Sequence, residues 1–428
     1  MRILFLNDLH DPRIGSSVRL VYQLAERLRA RGHATLLVTS TTDRQLATPT
    51  KIEGLDTVRI WSDYPLRFRS FVGLDNKRVR APFESVLAEW RPDVVHSHLV
   101  HTHLSYASLT RAREAGAGVV FTAHDVMTFC HQKLTCFHGG EEHGGELRDY
   151  RAYWQKCLPC QRLRWNPWRN AAIRKVLERD VHRMSAVSEE LAKTLRENRI
   201  RVDRVLHNAV AFQARLPDAE AQRLFREKHG LVGAQVIAIG GRLHAQKGVR
   251  QLLRMLALLA PRFPALRLLV LGKKELYEQE FAAEARQLGI AERVVRTGWL
   301  EGDELQAAYA CTDVFVTPSI CFDTFGMVNL EAMEHGKPVV ATVFGGSPEV
   351  VEHGVTGFVE NPFDLEAFSG RIGELLANPE LAQRMGAAGQ VRLRERFGIE
   401  RLVSECLEEY ESARLAARGS TSARSVSD

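Results

Sequence analysis

The stretch Thr317–Gly357, TPSICFDTFGMVNLEAMEHGKPVVATVFGGSPEVVEHGVTG, decides the fold. An apolar run just before it, Asp313–Thr317, reads as a buried strand that Pro318 stops. Phe325-Gly326 then opens a helix over Met327–Glu334, closed by Gly336. A second apolar strand covers Val339–Val343, and Gly345-Gly346 turns the chain into another helix start at Ser347-Pro348. Strand, glycine loop and helix N-terminus together bind anions, because free backbone N–H groups and the helix dipole point to one place. Asp323 stands before the first helix and Glu331 inside it, at a spacing that keeps both on one helical face. Carboxylates repel phosphate but accept hydrogen bonds from sugar hydroxyls. A core helix with one capping acid is the alternative reading of the same residues.

The same alternation continues in both directions. Upstream in the second half come strands over Gln235–Gly240, Leu266–Leu271 and Arg293–Thr297, with helices near Val249–Leu259 and Glu275–Leu288. The first half reads strand Arg2–Asn7, helix Ser16–Arg31, strand Ala34–Thr39, strand Val58–Trp61, helix Phe83–Trp90, strand Asp93–His98, helix Leu104–Ala115 and strand Gly118–His124. Such alternation predicts parallel sheets covered by helices on both faces, with ligands at the carboxyl ends of the strands. A chain of 428 residues with 45% hydrophobic content is long enough for two such domains. We expect a first Rossmann-like domain over residues 1–208, interrupted by an irregular cysteine-rich insertion at 125–170. A second Rossmann-like domain follows at 209–398, then a closing helix at 399–417 that returns to the first domain, and a disordered tail at 418–428. Two such halves suggest a cleft between them.

Charge is uneven. Residues 1–200 hold 31 Lys/Arg against 22 Asp/Glu, and the remainder holds 27 against 30. A basic first half suits a phosphorylated acceptor or an anionic membrane surface, and also ordinary solvated faces. Nucleic acid is not expected, since no binding motif accompanies the charge. ILFLN directly after Arg2 is too short for a signal segment, and no apolar run reaches membrane-spanning length. A cytoplasmic protein is expected, with peripheral contact at the inner membrane face left open.

Five further constellations carry chemistry. Gly240-Gly241-Arg242 ends a strand and Lys247-Gly248 follows, so a fork and a point charge share one glycine loop, as a diphosphate clamp needs. A basic loop without ligand is the plainer reading. Gly15, before the helix start at Ser16-Ser17, offers a second approach to phosphate, and no GxGxxG fingerprint is present. His98 and His124 each end a strand, where a side chain meets the ligand crevice. The insertion carries Cys130-x5-Cys136 and Cys157-x2-Cys160, which fit either a structural zinc site or unligated thiols. Residues 161–175, QRLRWNPWRNAAIRK, interleave Trp and Arg, as at a membrane interface or at a helix entry with snorkelling arginines.

Taken together these residues resemble the retaining glycosyltransferases of family 4, which have the GT-B fold, of the type that builds polysaccharides and glycoconjugates. GGRLHAQKG resembles the family's Arg/Lys diphosphate motif, and DTFGMVNLEAMEHGKPVVAT its two-carboxylate signature, with Asp323 in place of the usual first glutamate. FTAHDV resembles the strand that carries an active-site histidine. The resemblance implies transfer of a sugar from a nucleotide diphosphate sugar to a glycan, a lipid-linked or a small-molecule acceptor. It implies catalytic roles for His124, Asp323 and Glu331. Donor binding falls to Gly15, Gly241, Arg242, Lys247, Gly298, Phe325, Gly326, Met327, Val328 and Glu331. Glu331 would hold ribose, Asp323 and the backbone from Phe325 to Val328 the donor sugar and phosphate, and Thr297-Gly298-Trp299 the base. No catalytic metal is implied, and Cys130, Cys136, Cys157 and Cys160 would hold structural zinc at most. A nucleotide-sugar 2-epimerase and a non-catalytic nucleotide-sugar-binding partner are the alternatives.

Overall fold

The structure is a computed structural model that describes residues 1–8, 16–52, 54–213, 215–241 and 243–424. The chain divides into two compact units. The first comprises Met1–Leu134, Tyr150–Val210 and Ile399–Asp428, and the second Thr135–Asp149 and Ala211–Gly398.

The first unit is built on an eight-stranded sheet of β1 (Arg2–Asn7), β2 (Ala34–Thr41), β3 (Pro49–Ile52), β4 (Leu55–Trp61), β5 (Val94–Leu99), β6 (Gly118–Ala123), β7 (Arg183–Ala186) and β8 (Arg204–Val205). Their order is β3-β4-β2-β1-β5-β6-β7-β8, and every pairing is parallel except the β3–β4 hairpin. The runs Ile3–Leu6 and Val119–Phe121 are wholly buried, as parallel strands covered on both faces require. The hairpin escaped the sequence reading because Pro49 to Ile52 is short and half-exposed, with no apolar run to mark it.

The final helix, Ile399–Arg424, belongs to this first unit. It starts where the N–H of Ile399 donates to the Val210 carbonyl at 3.0 Å. It lies so close to β6 that a Cβ on Gly118 would stand 2.7 Å from the Ala413 backbone. The Arg183 guanidinium donates to both carboxylate oxygens of Glu409, at 2.8 and 3.1 Å. The helix runs on through residues 418–424, where the sequence suggests disorder. Once the earlier turns are anchored, each added residue gains a backbone bond at little further cost.

The second unit is a six-stranded, wholly parallel sheet of β9 (Gln235–Gly240), β10 (Leu266–Leu271), β11 (Val294–Gly298), β12 (Val314–Thr317), β13 (Val339–Thr342) and β14 (Gly357–Glu360). The order is β11-β10-β9-β12-β13-β14. Ile237, Ile239, Leu268, Val270, Val314 and Val316 pack against the apolar faces of helices Val249–Leu259 and Leu365–Ala377. Both sheets are doubly wound. The chain reverses direction of travel beside β1 in one and beside β9 in the other, so the crevices that such sheets offer to ligands open at β1/β5 and β9/β12.

The insertion is divided rather than a single irregular loop of the first unit. Thr135–Asp149 belongs to the second unit, and Trp154–Gln161 is a helix in the first. Aromatic packing holds the Thr135–Asp149 arm. The Phe137 ring meets Phe344 edge-on at 5.2 Å, and the His138 ring stacks on Phe344 at 5.4 Å. Gly145 lies flat on Phe363, where a Cβ would come within 2.3 Å of the ring. Among the described residues no helix is long and apolar enough to cross a membrane.

Candidate active site

The β9/β12 crevice is where three loops of the second unit meet. β9 ends at Gly240, and Gly241 takes φ +98°, a left-handed turn that glycine adopts without strain. Arg242 lies outside the described residues. His244 caps the short turn Ala245–Lys247, and Gly248 follows at φ +73°. A Cβ on Gly248 would fall 1.8 Å from the Pro318 carbonyl oxygen, so only glycine lets this loop press against the one after β12. The N–H groups of Ile320 and Cys321 donate to the Gln246 carbonyl at 3.0 and 3.2 Å and fasten the two loops. The result is that Lys247 Nζ sits 2.8 Å from Asp323 Oδ2, while Ser319 Oγ donates to the same oxygen at 3.2 Å.

The third loop follows β13. Gly345 takes φ +75°, and a Cβ there would lie 2.0 Å from the Asp323 carbonyl oxygen. Gly346 N–H donates to that oxygen at 2.7 Å. Asp323 is therefore gripped by its backbone on one side and its side chain on the other. Three residues later Gly326, at φ +82°, begins the helix Met327–Glu334. A Cβ on Gly326 would meet Asn329 Nδ2 at 2.6 Å and Ser347 Oγ at 3.0 Å. Asn329 and Ser347 are fully buried, and Thr317 Oγ1 donates to Asn329 Oδ1 at 2.9 Å. Asn329 Nδ2 and Ser347 Oγ have no hydrogen-bond partner among the described residues. Buried donors are nearly always satisfied, so two orphans beside a helix N-terminus mark a place suited to an acceptor-rich ligand.

Glu331 lies on the same helix, and the Tyr309 hydroxyl donates to its Oε2 at 2.5 Å. Tyr309 comes from the helix Gly302–Ala310 and stacks on His335. It fixes the direction of Glu331, and no spacing rule could have found it, because the two sit on separate helices. Gly241, Lys247, Asp323, Gly326 and Glu331 thus surround one crevice, and Val328 packs over Gly241, whose Cβ would stand 3.6 Å from Val328 Cγ1. Met327 opens the helix half-buried. Phe325 is assigned through its backbone. Its ring is buried against Phe397, so only its backbone can serve a ligand. Gly298 ends β11, separated from β9 by β10, and pairs with Gly272.

In the first unit His124 follows β6 directly. Its Nε2 is 2.7 Å from His98 Nδ1, and the two rings stack at 5.0 Å. His98 is inside β5 rather than at its end, and it is 2% exposed. It supports His124 rather than meeting a ligand itself. Behind it His96 bonds Tyr410 OH on the closing helix and Thr122 Oγ1, each at 2.8 Å. Burial pushes the His96 pKa down to about 3 and holds His98 well below its ordinary value. Burial also lowers His124 to about 4, although Asp125 pulls the other way. All three rings are neutral near pH 7, so the His98–His124 bond shares one proton and sets the tautomer of both.

Asp8, at the end of β1, accepts the N–H groups of Thr102, His103 and Leu104 at 2.7, 3.0 and 2.7 Å and so pins the loop after β5. Burial raises its pKa against the pull of those bonds. Gly15, the other candidate on the β1 loop, lies outside the described residues.

Cys136 falls in the second unit and Cys130, Cys157 and Cys160 in the first. Among the described residues no group of three or more His, Cys, Asp or Glu is arranged to hold a metal ion. Cys130 Sγ donates to the Gln132 carbonyl at 2.9 Å.

Residues 17–213 match the family described as Glycosyltransferase Family 4, and residues 221–392 match Glycosyl transferases group 1. The chain is 38% identical over 180 residues to the GDP-mannose-dependent alpha-(1-6)-phosphatidylinositol monomannoside mannosyltransferase of Mycolicibacterium smegmatis, covering 41% of this chain and 47% of that relative. It is 30% identical over 189 residues to mannosylfructose-phosphate synthase of Agrobacterium fabrum, covering 42% and 41%. These alignments span about half the length of the relatives or less. Among solved structures, sucrose-phosphate synthase from Thermosynechococcus elongatus superposes with a TM-score of 0.76 at 20% identity, over 97% of this chain and 99% of that one. HepE of Anabaena superposes with a TM-score of 0.71 at 19% identity, over 96% and 100%. With one family match on each half and the same doubly wound pair of sheets, the chain belongs to the family 4 glycosyltransferases of GT-B fold.

Proposed function

We propose that this chain transfers a sugar from a nucleoside diphosphate sugar to a hydroxyl acceptor, with retention of the anomeric configuration and without a catalytic metal ion. The observation that carries the reading is the meeting of Lys247, Asp323 and the Gly326 helix start at one crevice, with the buried donors of Asn329 and Ser347 beside it. The mycobacterial relative is by name GDP-mannose-dependent, which supports the donor class.

Breaking the bond between the anomeric carbon and phosphate leaves positive charge on the sugar and negative charge on the departing diphosphate. Lys247, with Arg242 from the same loop, meets that negative charge, and the N-terminus of helix Met327–Glu334 adds backbone N–H groups. These groups do the work that a divalent cation does elsewhere. Glu331, aimed by Tyr309, accepts from the ribose hydroxyls, and Asp323 accepts from the donor sugar. Gly298 and Trp299 border the base. His124, held neutral, serves as a hydrogen-bonding group to the transferring sugar. The acceptor oxygen attacks the face that the phosphate leaves, and its proton passes to the departing diphosphate. An epimerase and a non-catalytic binding protein gain no support from the site or the relatives.

The test is a panel of UDP-, GDP- and TDP-sugars assayed for nucleotide release, followed by proton NMR of the transferred sugar. Slow release from one donor without acceptor, with the same anomer in product as in donor and no loss of rate in chelator, supports the proposal. Binding without release in the presence of lipid-phosphate and oligosaccharide acceptors would refute transfer, and an inverted anomer would refute retention.

A further inference from the structure

Two segments of the first unit, far apart in sequence, form one surface. One is the turn Leu66–Phe68 with the short helix Arg69–Val72, and the other is the turn Arg162–Arg164 with the residues that follow it. They are stitched beneath the surface. Ser70 Oγ donates to the Arg164 carbonyl at 2.9 Å, and Asn166 Nδ2 donates to the Ser70 carbonyl at 3.0 Å. Outward they present large apolar side chains. Leu66 is 59% exposed, Phe71 53%, Trp168 76% and Leu163 fully. Single exposed apolar residues are ordinary, but four on two joined turns form a patch that calls for a partner.

The charge around the patch names the partner. Arg67, Arg162 and Arg164 are exposed among these side chains, and none of the three pairs with a carboxylate among the described residues. From Tyr150 to Leu177 the sequence holds seven Lys/Arg and no Asp or Glu, and from Tyr64 to Leu74 two Arg and no acid. Leu and Trp at exposed tips, with Arg beside them and acids only at the margins, at Asp63 and Asp75, fit the headgroup region of an anionic bilayer. There apolar tips enter the interface and guanidinium groups face phosphate. A protein partner is expected to meet a groove or a flatter face.

We propose that this surface docks the protein on a bilayer containing anionic phospholipid, with Leu163 and Trp168 entering the interface and Arg67, Arg162 and Arg164 against the headgroups. The proposal is independent of the donor chemistry, since none of these residues belongs to the crevice described above.

Vesicle flotation tests it, with phosphatidylcholine alone and with phosphatidylcholine mixed with phosphatidylglycerol. The full chain is expected to bind the mixed vesicles about tenfold or more better than the neutral ones, and less well as salt rises. The pairs Leu163→Asp with Trp168→Asp, and Arg162→Glu with Arg164→Glu, are each expected to reduce that binding about tenfold or more. Both should leave the thermal midpoint and solution turnover of the donor unchanged, because the side chains are exposed. Failure of the wild type to bind mixed vesicles, or equal binding by the folded variants, would overturn the proposal.

Discussion

The crevices of the two units occupy equivalent places in similar sheets but are built from opposite chemistry. At β9/β12 the walls are glycines that let three loops crowd together, and the charged side chains Lys247 and Asp323 stand where the loops cross. Around the ends of β1, β5 and β6 the walls are the neutral pair His98 and His124, the His101–Asp125 pair at 3.2 Å, and Asp8, whose carboxylate accepts backbone N–H groups. The first arrangement can take up charge that appears during a reaction. The second offers fixed hydrogen bonds with little net charge. The contrast teaches that one sheet topology can supply counter-charge in one crevice and fixed direction in the other.

The largest effect should come from removing that counter-charge. Lys247→Ala is expected to lower kcat/KM for the donor about a hundredfold to a thousandfold, as read by steady-state kinetics. A loss under about threefold would erase the distinction between the two crevices. Gly248→Ala tests the crowding that builds the charged site. The new Cβ meets the Pro318 oxygen at 1.8 Å in a left-handed conformation, so chemical unfolding should report more than about 2 kcal/mol of lost stability. Gly116→Ala in the first unit is the control. It has φ +84° with nothing within 4 Å, and it should cost about 1 kcal/mol.

The histidine wall makes the first unit sensitive to acid. His96 and His124 titrate at about 3 and about 4 in the folded protein, against an ordinary value of 6.5. The unfolded chain therefore takes up protons before the folded one does as pH falls. Stability is therefore highest above pH 6.5 and falls below it, down to about pH 4 for the His124 part and about pH 3 for the His96 part. Hydrogen exchange at pH 7 and pH 5 should show protection falling in β5 and β6. His335 of the second unit, pushed down to about 4 by burial and Lys337, predicts a lesser loss there. The smallest effect concerns direction alone. Tyr309→Phe should raise the donor KM by about threefold to tenfold with kcat little changed, since only one hydrogen bond to Glu331 is lost.

The alternation of strands and helices was readable because parallel strands buried on both faces leave unbroken apolar runs, such as Ile237–Ile239 and Val314–Val316. The meeting of Lys247, Asp323 and Gly326 at one crevice was suggested too, since glycine, lysine and carboxylate sit at short spacings on consecutive loops. Tyr309, Asn329 and Ser347 were not, because their roles arise only when separate elements pack. His98 was misread as a strand end, since β5 runs one residue past it to Leu99. The packing of Phe137 and His138 against Phe344 was not readable either, because it joins residues far apart in the sequence.

Calorimetric titration of the nucleoside diphosphate found in the donor panel tests the central claim most directly, run on wild type, Lys247→Ala and His98→Gln. The account predicts binding weaker by about thirtyfold or more in Lys247→Ala, the cost of a charge-assisted contact to phosphate, and unchanged in His98→Gln. Equal affinity in wild type and a folded Lys247→Ala would contradict it, because the diphosphate would then be held somewhere other than the β9/β12 crevice.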